Sequence, residues 1–570
     1  MLQRKLNICL LVFFTLLTLA SLYFFFFPSL FNPVLDDIAI GISMLLCIAA
    51  LVYACVLARS AKDVALVLVA IVLLSFLARS IPNLRLCYPP LHDPYFYFIS
   101  YINISDYGTL QPVLSDWYPS LGMHLNWPGM HLLSSTIGQI TDIDAMWLFR
   151  FVAPLFGAIF SLMAFLLAKL VTKNDSVALL AALFATMSDV IIFYQSEYHP
   201  QGLALLLFVV LVYVWLRLVE KGSWAYGTLF GIGAGSFLLS HHFSSLYIGL
   251  LVFSFVIGNQ LLRLIYKRRG FSLATQPMAN LRRGYAFLIC FGGAVMLYHF
   301  ILYPTASEQF MAEATTAAPG IALHDVPLFT FLLRLAKWGI LSLGVASIVY
   351  ILRKPTREEL SLILLLVLIM LTGALGMACM LGELMAGVPI DRFIAFYAPL
   401  ISIFAAMTVH KLLSHTKSSV KRPLLIKGAT ILGAGVLLAA GFFNAQIPAF
   451  YFKSSSINTF YWYSNRLPVM EQYKPAGEWI GEYTPDNSRY GVEFHTRVIP
   501  FFYGQKPGSS LNSTWTLSSV DYALINPTVP YWQGESRLYS KSDVRKDLSG
   551  IYANGELVLY YNTQQERREY

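Results

Sequence analysis

Blocks of about twenty consecutive apolar residues recur along this chain, each long enough for a helix to cross the roughly 30 Å hydrocarbon core of a bilayer. Backbone in lipid must satisfy its own hydrogen bonds, so such blocks confine the fold to a bundle of spanning helices. The 570 residues are 57% hydrophobic and only 12% charged, an apolar share above the roughly 45 to 50% of soluble domains. Candidate spans run 7–27, 37–58, 63–79, 146–168, 176–193, 201–218, 224–240, 244–264, 284–303, 327–351, 359–379, 392–412 and 426–446. The expectation is a polytopic α-helical membrane protein of about thirteen transmembrane helices.

The net charge of +9 lies in short clusters between the apolar blocks, which argues against a nucleic-acid face and for cytoplasmic loops. With a cytoplasmic N-terminus, the inner side collects Arg59, Lys62, Lys169, Lys173, Arg217, Lys221, Arg263, Lys267 to Arg269, Arg282, Arg283, Arg353, Lys354 and Lys411 through Lys427. Arg4 and Lys5 before the first apolar run resemble the start of a signal peptide. No small-residue cleavage site follows and the run ends in interfacial aromatics, so it reads as an uncleaved first span. An odd number of spans then puts the C-terminus outside.

Outside, too, falls the long loop of about residues 80–145, rich in Asp, His and aromatic residues. Beyond residue 450 the composition turns polar and Tyr-rich, with 474–483 reading as a helix and 557–561 as a strand. This is the pattern of a small extracytoplasmic α/β domain, 450–570, following a membrane domain of 1–449. The six cysteines all precede residue 400 and none has CxxC spacing, so no disulfide is expected in that domain. Asn103-Ile104-Ser105 and Asn512-Ser513-Thr514 match the glycan-acceptor pattern, one that occurs often by chance.

Four clusters at the predicted outer membrane level could carry chemistry. His92-Asp93-Pro94-Tyr95 follows the third span. A carboxylate at the membrane edge is partly desolvated and suits a general base or a metal ligand, but Asp before Pro also starts helices. Glu197 and His199 occupy the short turn after the fifth span, where ionisable groups at membrane depth suggest function and Pro200 suggests a plain helix start. His241 and His242 end the seventh span, and as helix neighbours they face different directions, a weak metal signal. Arg392 opens the twelfth as a cation against the positive-inside rule, beside Asp391 and within reach of an ion pair with it or Glu383. An outer-level cation beside carboxylates suits a departing lipid phosphate, with Arg392 stabilising the leaving charge and Asp93 taking a proton from an acceptor hydroxyl.

These motifs resemble those of the GT-C superfamily of membrane glycosyltransferases, and distantly the oligosaccharyltransferase catalytic subunit. "DPYF" at 93–96 is similar to its first acidic motif, and "DWYPSLG" at 116–122 with "WPGM" at 127–130 to the aromatic-proline loop that follows. Residues 151–207 resemble the next helical pair with the second acidic motif, and "DRFIAFYAPL" at 391–400 a later cation-bearing segment. The resemblance implies Asp93 and Glu197 as catalytic carboxylates. It also implies Arg392 and, more loosely, His199 as substrate-binding residues; His92, Tyr95, Asp116, His241 and His242 join them as candidates from the same outer segments, and Asp93 with Glu197 are the ligands if a divalent cation (Mg or Mn) is used at all. The second motif reads Glu-Tyr-His, and the tail lacks the Trp-Trp-Asp-Tyr-Gly signature of oligosaccharyltransferases.

The implied activity is therefore transfer of a sugar from a polyprenyl-phosphate or -diphosphate donor to a lipid, glycan or protein acceptor on the extracytoplasmic side of a cell membrane. Two alternatives stand beside it. One is an oligosaccharyltransferase-like protein glycosylation enzyme; the other is a carrier or flippase of polyprenyl-linked sugars, which would need polar residues deep in several spans.

Overall fold

The computed structural model describes residues 2–26, 33–85, 93–113, 125–241, 281–298, 339–349, 390–415, 423–451 and 478–485, together with short strands between 490 and 562. The expected span 244–264 apart from Gln260 and Leu264, the span 359–379, and the residues His92, Asp116 and His242 lie outside them. The chain groups into two compact units, one of residues 1–85 and 126–450, the other of 86–125 and 451–570.

The first unit is helical: α1 (Leu2–Phe26), α2 (Pro33–Leu57), α3 (Ala61–Arg85), then α5 (Gly129–Thr141), α6 (Ala145–Thr172), α7 (Asp175–Thr186), α8 (Asp189–Ser196), α9 (Pro200–Lys221), α10 (Trp224–Leu238), α11 (Leu281–Met296), α12 (Ile390–His415) and α13 (Pro423–Tyr451). Helix α4 (Asp93–Ser105) belongs to the second unit. Among the described residues four helices are long and apolar enough to cross a membrane, five if the bent pair α7–α8 is one span, with shorter apolar helices beside them. A multi-pass helical membrane protein is thus borne out. On α3 the inner face, Val67, Ala70, Ile71, Leu74 and Ala78, is fully buried, while Leu66, Val69 and Leu73 are exposed. A helix apolar on both its packed and its open face fits lipid rather than water as its surroundings.

Helices α3 and α6 run antiparallel. Ser75 Oγ donates to the Gly157 carbonyl at 2.9 Å, and eight residues further along α3 the Asn83 carbonyl accepts from Arg150 Nε at 3.1 Å. This alternation gives the bundle two chemically different ends. At one, Lys169 pairs with Asp175 at 2.7 Å, Lys173 and Arg217 pair with Glu220 at 3.3 and 2.8 Å, and Gln3 on α1 donates to Asp63 at 3.1 Å. That end carries the basic residues expected inside.

One expectation is corrected here. The fifth span, read as a single helix over 176–193, is broken between Thr186 and Asp189 by a 61° bend. Ser188 is extended at the break, and Gly441 of α13 lies against the Met187 carbonyl, where a Cβ would be 2.5 Å from the oxygen. Tertiary packing therefore holds a bend that no local Gly or Pro encodes.

In the second unit, α4 packs Ile99 and Ile104 with Leu125, and Phe98 and Ile102 lie against them. Asn103 is buried, its amide donating to the carbonyls of Thr109 and Gln111 at 2.9 and 2.8 Å, so this glycan-acceptor triplet is occupied with holding the loop. The C-terminal segment forms a five-stranded mixed sheet of order β2-β1-β3-β7-β6, in which Tyr490–Val492 (β1) runs parallel to Gly508–Ser510 (β2) and Tyr522–Ile525 (β3). Val558–Asn562 (β7), at the predicted strand, pairs antiparallel with β3 and with Leu548–Ala553 (β6). A separate ribbon joins Trp532–Gln533 (β4) to Ser536–Arg537 (β5). Residues 478–483 are helical, within the predicted helix.

Candidate active site

At the end of the bundle opposite the basic cluster, the chain leaves α8 at Ser196 and enters α9 at Pro200 through three residues, Glu197, Tyr198 and His199. Glu197 is extended (φ −121°, ψ 156°) and only 4% exposed. A carboxylate so enclosed at membrane level is costly unless its surroundings are polar.

The other two residues of the turn are held by several helices. Tyr198 stacks on Phe149 of α6 with centroids 3.7 Å apart, and its hydroxyl lies 3.4 Å from His131 Nδ1 and donates to the Met130 carbonyl at 3.4 Å. Helix α5, which carries His131, is tied to the end of α10 by Gly129 N–H donating to the Leu239 carbonyl at 2.8 Å. The His199 ring lies 5.6 Å from that of His241 and 5.4 Å from that of Tyr194. Both histidines are buried.

His199 is also the N-cap of α9. Its Nδ1 accepts from the Gln201 N–H at 3.0 Å, with Pro200 as the first helical residue and Gly202 N–H closing on the His199 carbonyl at 2.8 Å. Because Nδ1 accepts, a neutral His199 carries its proton on Nε2, and it can offer that proton but not a second lone pair. His199→Ala is therefore expected to cost about 1 kcal/mol of stability, and His199→Asn to recover most of it because asparagine caps equally well. Thermal melts of the two variants beside the wild type check this; activity lost in both despite restored stability would assign the imidazole itself a part in binding.

Of the residues singled out from sequence, the structure places Glu197 and His199 in one buried turn and sets the His199 ring against that of His241. Asp93 is the first residue of α4, the helix start that Asp-Pro also suggested. Arg392 lies in the first turn of α12, and four residues on, Phe396 packs on Phe208 and Phe237, whose centroids are 5.3 and 6.4 Å away. That turn thus belongs to the same end of the bundle as Glu197. The side chains of Asp93, Tyr95 and Arg392 lie outside the described residues. Among the described residues no three His, Cys, Asp or Glu side chains are grouped to hold a metal ion.

Sequence reasoning gave no role to the polar groups around the turn. Arg79, Asn83, Gln195, Gln201 and His131 are all buried. The third span was expected to end at residue 79, yet α3 continues to Arg85, so Arg79 lies inside the helix rather than at the interface. Its signal was available: a cation at the outer end of a span opposes the positive-inside rule, as Arg392 does.

Residues 128–279 match the family model described as dolichyl-phosphate-mannose-protein mannosyltransferase. That stretch runs from α5 past α10 and contains Glu197, His199, His241 and His131. Crystal structures of ArnT from Cupriavidus metallidurans share the fold. The one bound to undecaprenyl phosphate has a TM-score of 0.53 at 10% identity, over 88% of this chain and 99% of that one. The apo form has a TM-score of 0.51 at 10% identity, over 89% and 99%. An Archaeoglobus fulgidus oligosaccharyltransferase, in complex with Zn and sulfate, aligns with a TM-score of 0.46 at 13% identity, over 87% of this chain and 73% of its own. No curated protein matches in sequence. Fold and matched segment bear out the GT-C resemblance and, with it, the enzyme class, a membrane glycosyltransferase.

Proposed function

We propose that the protein moves a sugar from a polyprenyl-phosphate donor to an acceptor hydroxyl on the extracytoplasmic side, with the donor's tail in the bilayer. The observation that carries this reading is the buried Glu197, in a three-residue turn whose Tyr198 meets His131 and whose His199 meets His241. The matched family description names a dolichyl-phosphate sugar, and the ArnT structure holds undecaprenyl phosphate. Both support a lipid-phosphate donor here.

The reaction makes a bond from the acceptor oxygen to the anomeric carbon as the bond from that carbon to the phosphate oxygen breaks. The acceptor proton goes to a carboxylate, assigned to Asp93 on its motif, and the lipid phosphate leaves as an anion stabilised by Arg392. Glu197 serves as the second carboxylate, orienting the acceptor or balancing charge at the anomeric carbon. If a divalent cation takes part, Asp93 and Glu197 are its ligands. The bundle end that holds Glu197 faces the outside, the N-terminus and the basic end face the cytoplasm, and the sheet domain is extracytoplasmic. About thirteen spans complete this topology.

The test offers tritiated polyprenyl-phosphate monosaccharides to proteoliposomes holding the purified protein, with crude membrane glycans and proteins as acceptors. Release of free lipid phosphate with label on an acceptor is the expected result. Label that crosses the bilayer while still joined to its lipid would replace the enzyme by the carrier.

A further inference from the structure

Arg79 is fully buried in α3, and its hydrogen bonds go to neutral groups: Nε donates to Gln195 Oε1 at 3.0 Å, and Nη1 to the Ser75 carbonyl and hydroxyl at 3.2 and 2.9 Å. Among the described residues no carboxylate pairs with it and Nη2 has no partner. One turn further along α3, Asn83 Nδ2 donates to the Ser196 carbonyl at 2.6 Å, and the Asn83 carbonyl accepts from Arg150. The two α3 side chains thus grip the two residues that immediately precede Glu197. Helix α6 is shaped to admit the grip, because a Cβ at Gly157 would collide with Arg79 Cδ and Nε.

A lone guanidinium buried among neutral partners is a poor stabiliser; an apolar side chain of similar volume commonly does as well or better. Position and cost together point away from a packing role. We propose that Arg79, with Asn83, is a positioning residue that fixes the end of α8 and so sets where the Glu197 carboxylate is presented. The proposal rests on Glu197 being catalytic only for its effect on rate; the placement itself is separately measurable. The bent half-helix packs on α3, α6, α9 and α12, and at its last two residues α3 adds two side-chain hydrogen bonds.

The experiment compares wild type, Arg79→Met, Arg79→Lys, Gly157→Ala, Glu197→Gln and the Arg79→Met/Glu197→Gln pair in proteoliposomes. Three readings are taken: thermal melting, lipid-phosphate release from the tritiated donors, and labelling of Glu197 by dicyclohexylcarbodiimide, an apolar carboxyl reagent read by mass spectrometry. Arg79→Met should melt at or above the wild-type temperature yet lose roughly 100-fold in kcat, the scale of an ångström misplacement, with KM for the donor little changed. Arg79→Lys, which can still reach Gln195, should recover part of the rate. Gly157→Ala should imitate Arg79→Met, and it replaces that variant if methionine prevents folding. The pair should be no slower than Glu197→Gln alone. Glu197 labelling should change in Arg79→Met and return toward wild type in Arg79→Lys.

Unchanged labelling in both Arg79→Met and Gly157→Ala, or losses that multiply in the pair, would overturn the proposal. Altered labelling with Glu197→Gln as active as wild type would keep the clamp and remove the catalytic reading of Glu197. Where no donor is turned over, labelling alone decides.

Discussion

Glu197→Gln is expected to lower kcat for lipid-phosphate release by about 10²- to 10⁴-fold, the range associated with losing a positioned acid or base. Glutamine has nearly the shape of glutamate, so the extended turn between α8 and α9, the His199 cap and the Tyr198–Phe149 stack should all persist. What disappears is the charge. Initial rates at saturating donor, beside a circular dichroism melt that matches the wild type, measure the effect. A rate within a few fold of wild type would reduce Glu197 to the C-cap of α8, and the chemistry would have to be sought elsewhere at this end of the bundle.

Asp93→Asn carries an equally large expected loss and separates two meanings of one residue. Asp93 is the first residue of α4, where asparagine keeps nearly the shape of aspartate, so the variant retains the start of the helix while removing the group that could accept a proton. If Asp93 is the base, activity should fall by about 10²- to 10⁴-fold with folding intact. If it only starts α4, both Asp93→Asn and Asp93→Ala should turn over close to wild type and lose at most about 1 kcal/mol of stability, the scale of a charge at a helix N-terminus. Rates and melts on the two variants give the answer.

The apolar blocks made the helical bundle legible because lipid imposes a length and a composition on each crossing, and both can be read without knowing what a helix touches. The same holds for the strand at 557–561, where Tyr and Val residues between turn signals described β7 to within a residue. The bend in α7–α8 was not legible. It depends on the backbone of Gly441, more than 250 positions away in sequence, meeting the Met187 carbonyl. Within the candidate site, residues with an outward signal were found. Glu197 is acidic at membrane level, His199 and His241 lie at span ends, and the structure assembles them. His131 was noted only as one of several loop histidines, and Gln195, Gln201 and Asn83 are uncharged, so a hydropathy reading passes over them. Arg79 was lost at a boundary, because a span cut short by six residues turns a buried cation into an interfacial one.

The bend in the fifth span also sets a height. The twelve residues of α7 rise about 18 Å, and the eight of α8, turned away by 61°, add only about 6 Å along the same direction. Their sum falls short of the roughly 30 Å of hydrocarbon in an ordinary bilayer. Helix α9, which leaves the same turn, rises about 33 Å over its 22 residues, so one side of the Glu197 turn is a full crossing and the other a shortened one. Acyl-chain length in the surrounding membrane is then expected to change turnover, because the shortened side must accommodate any mismatch before its full-length neighbour does.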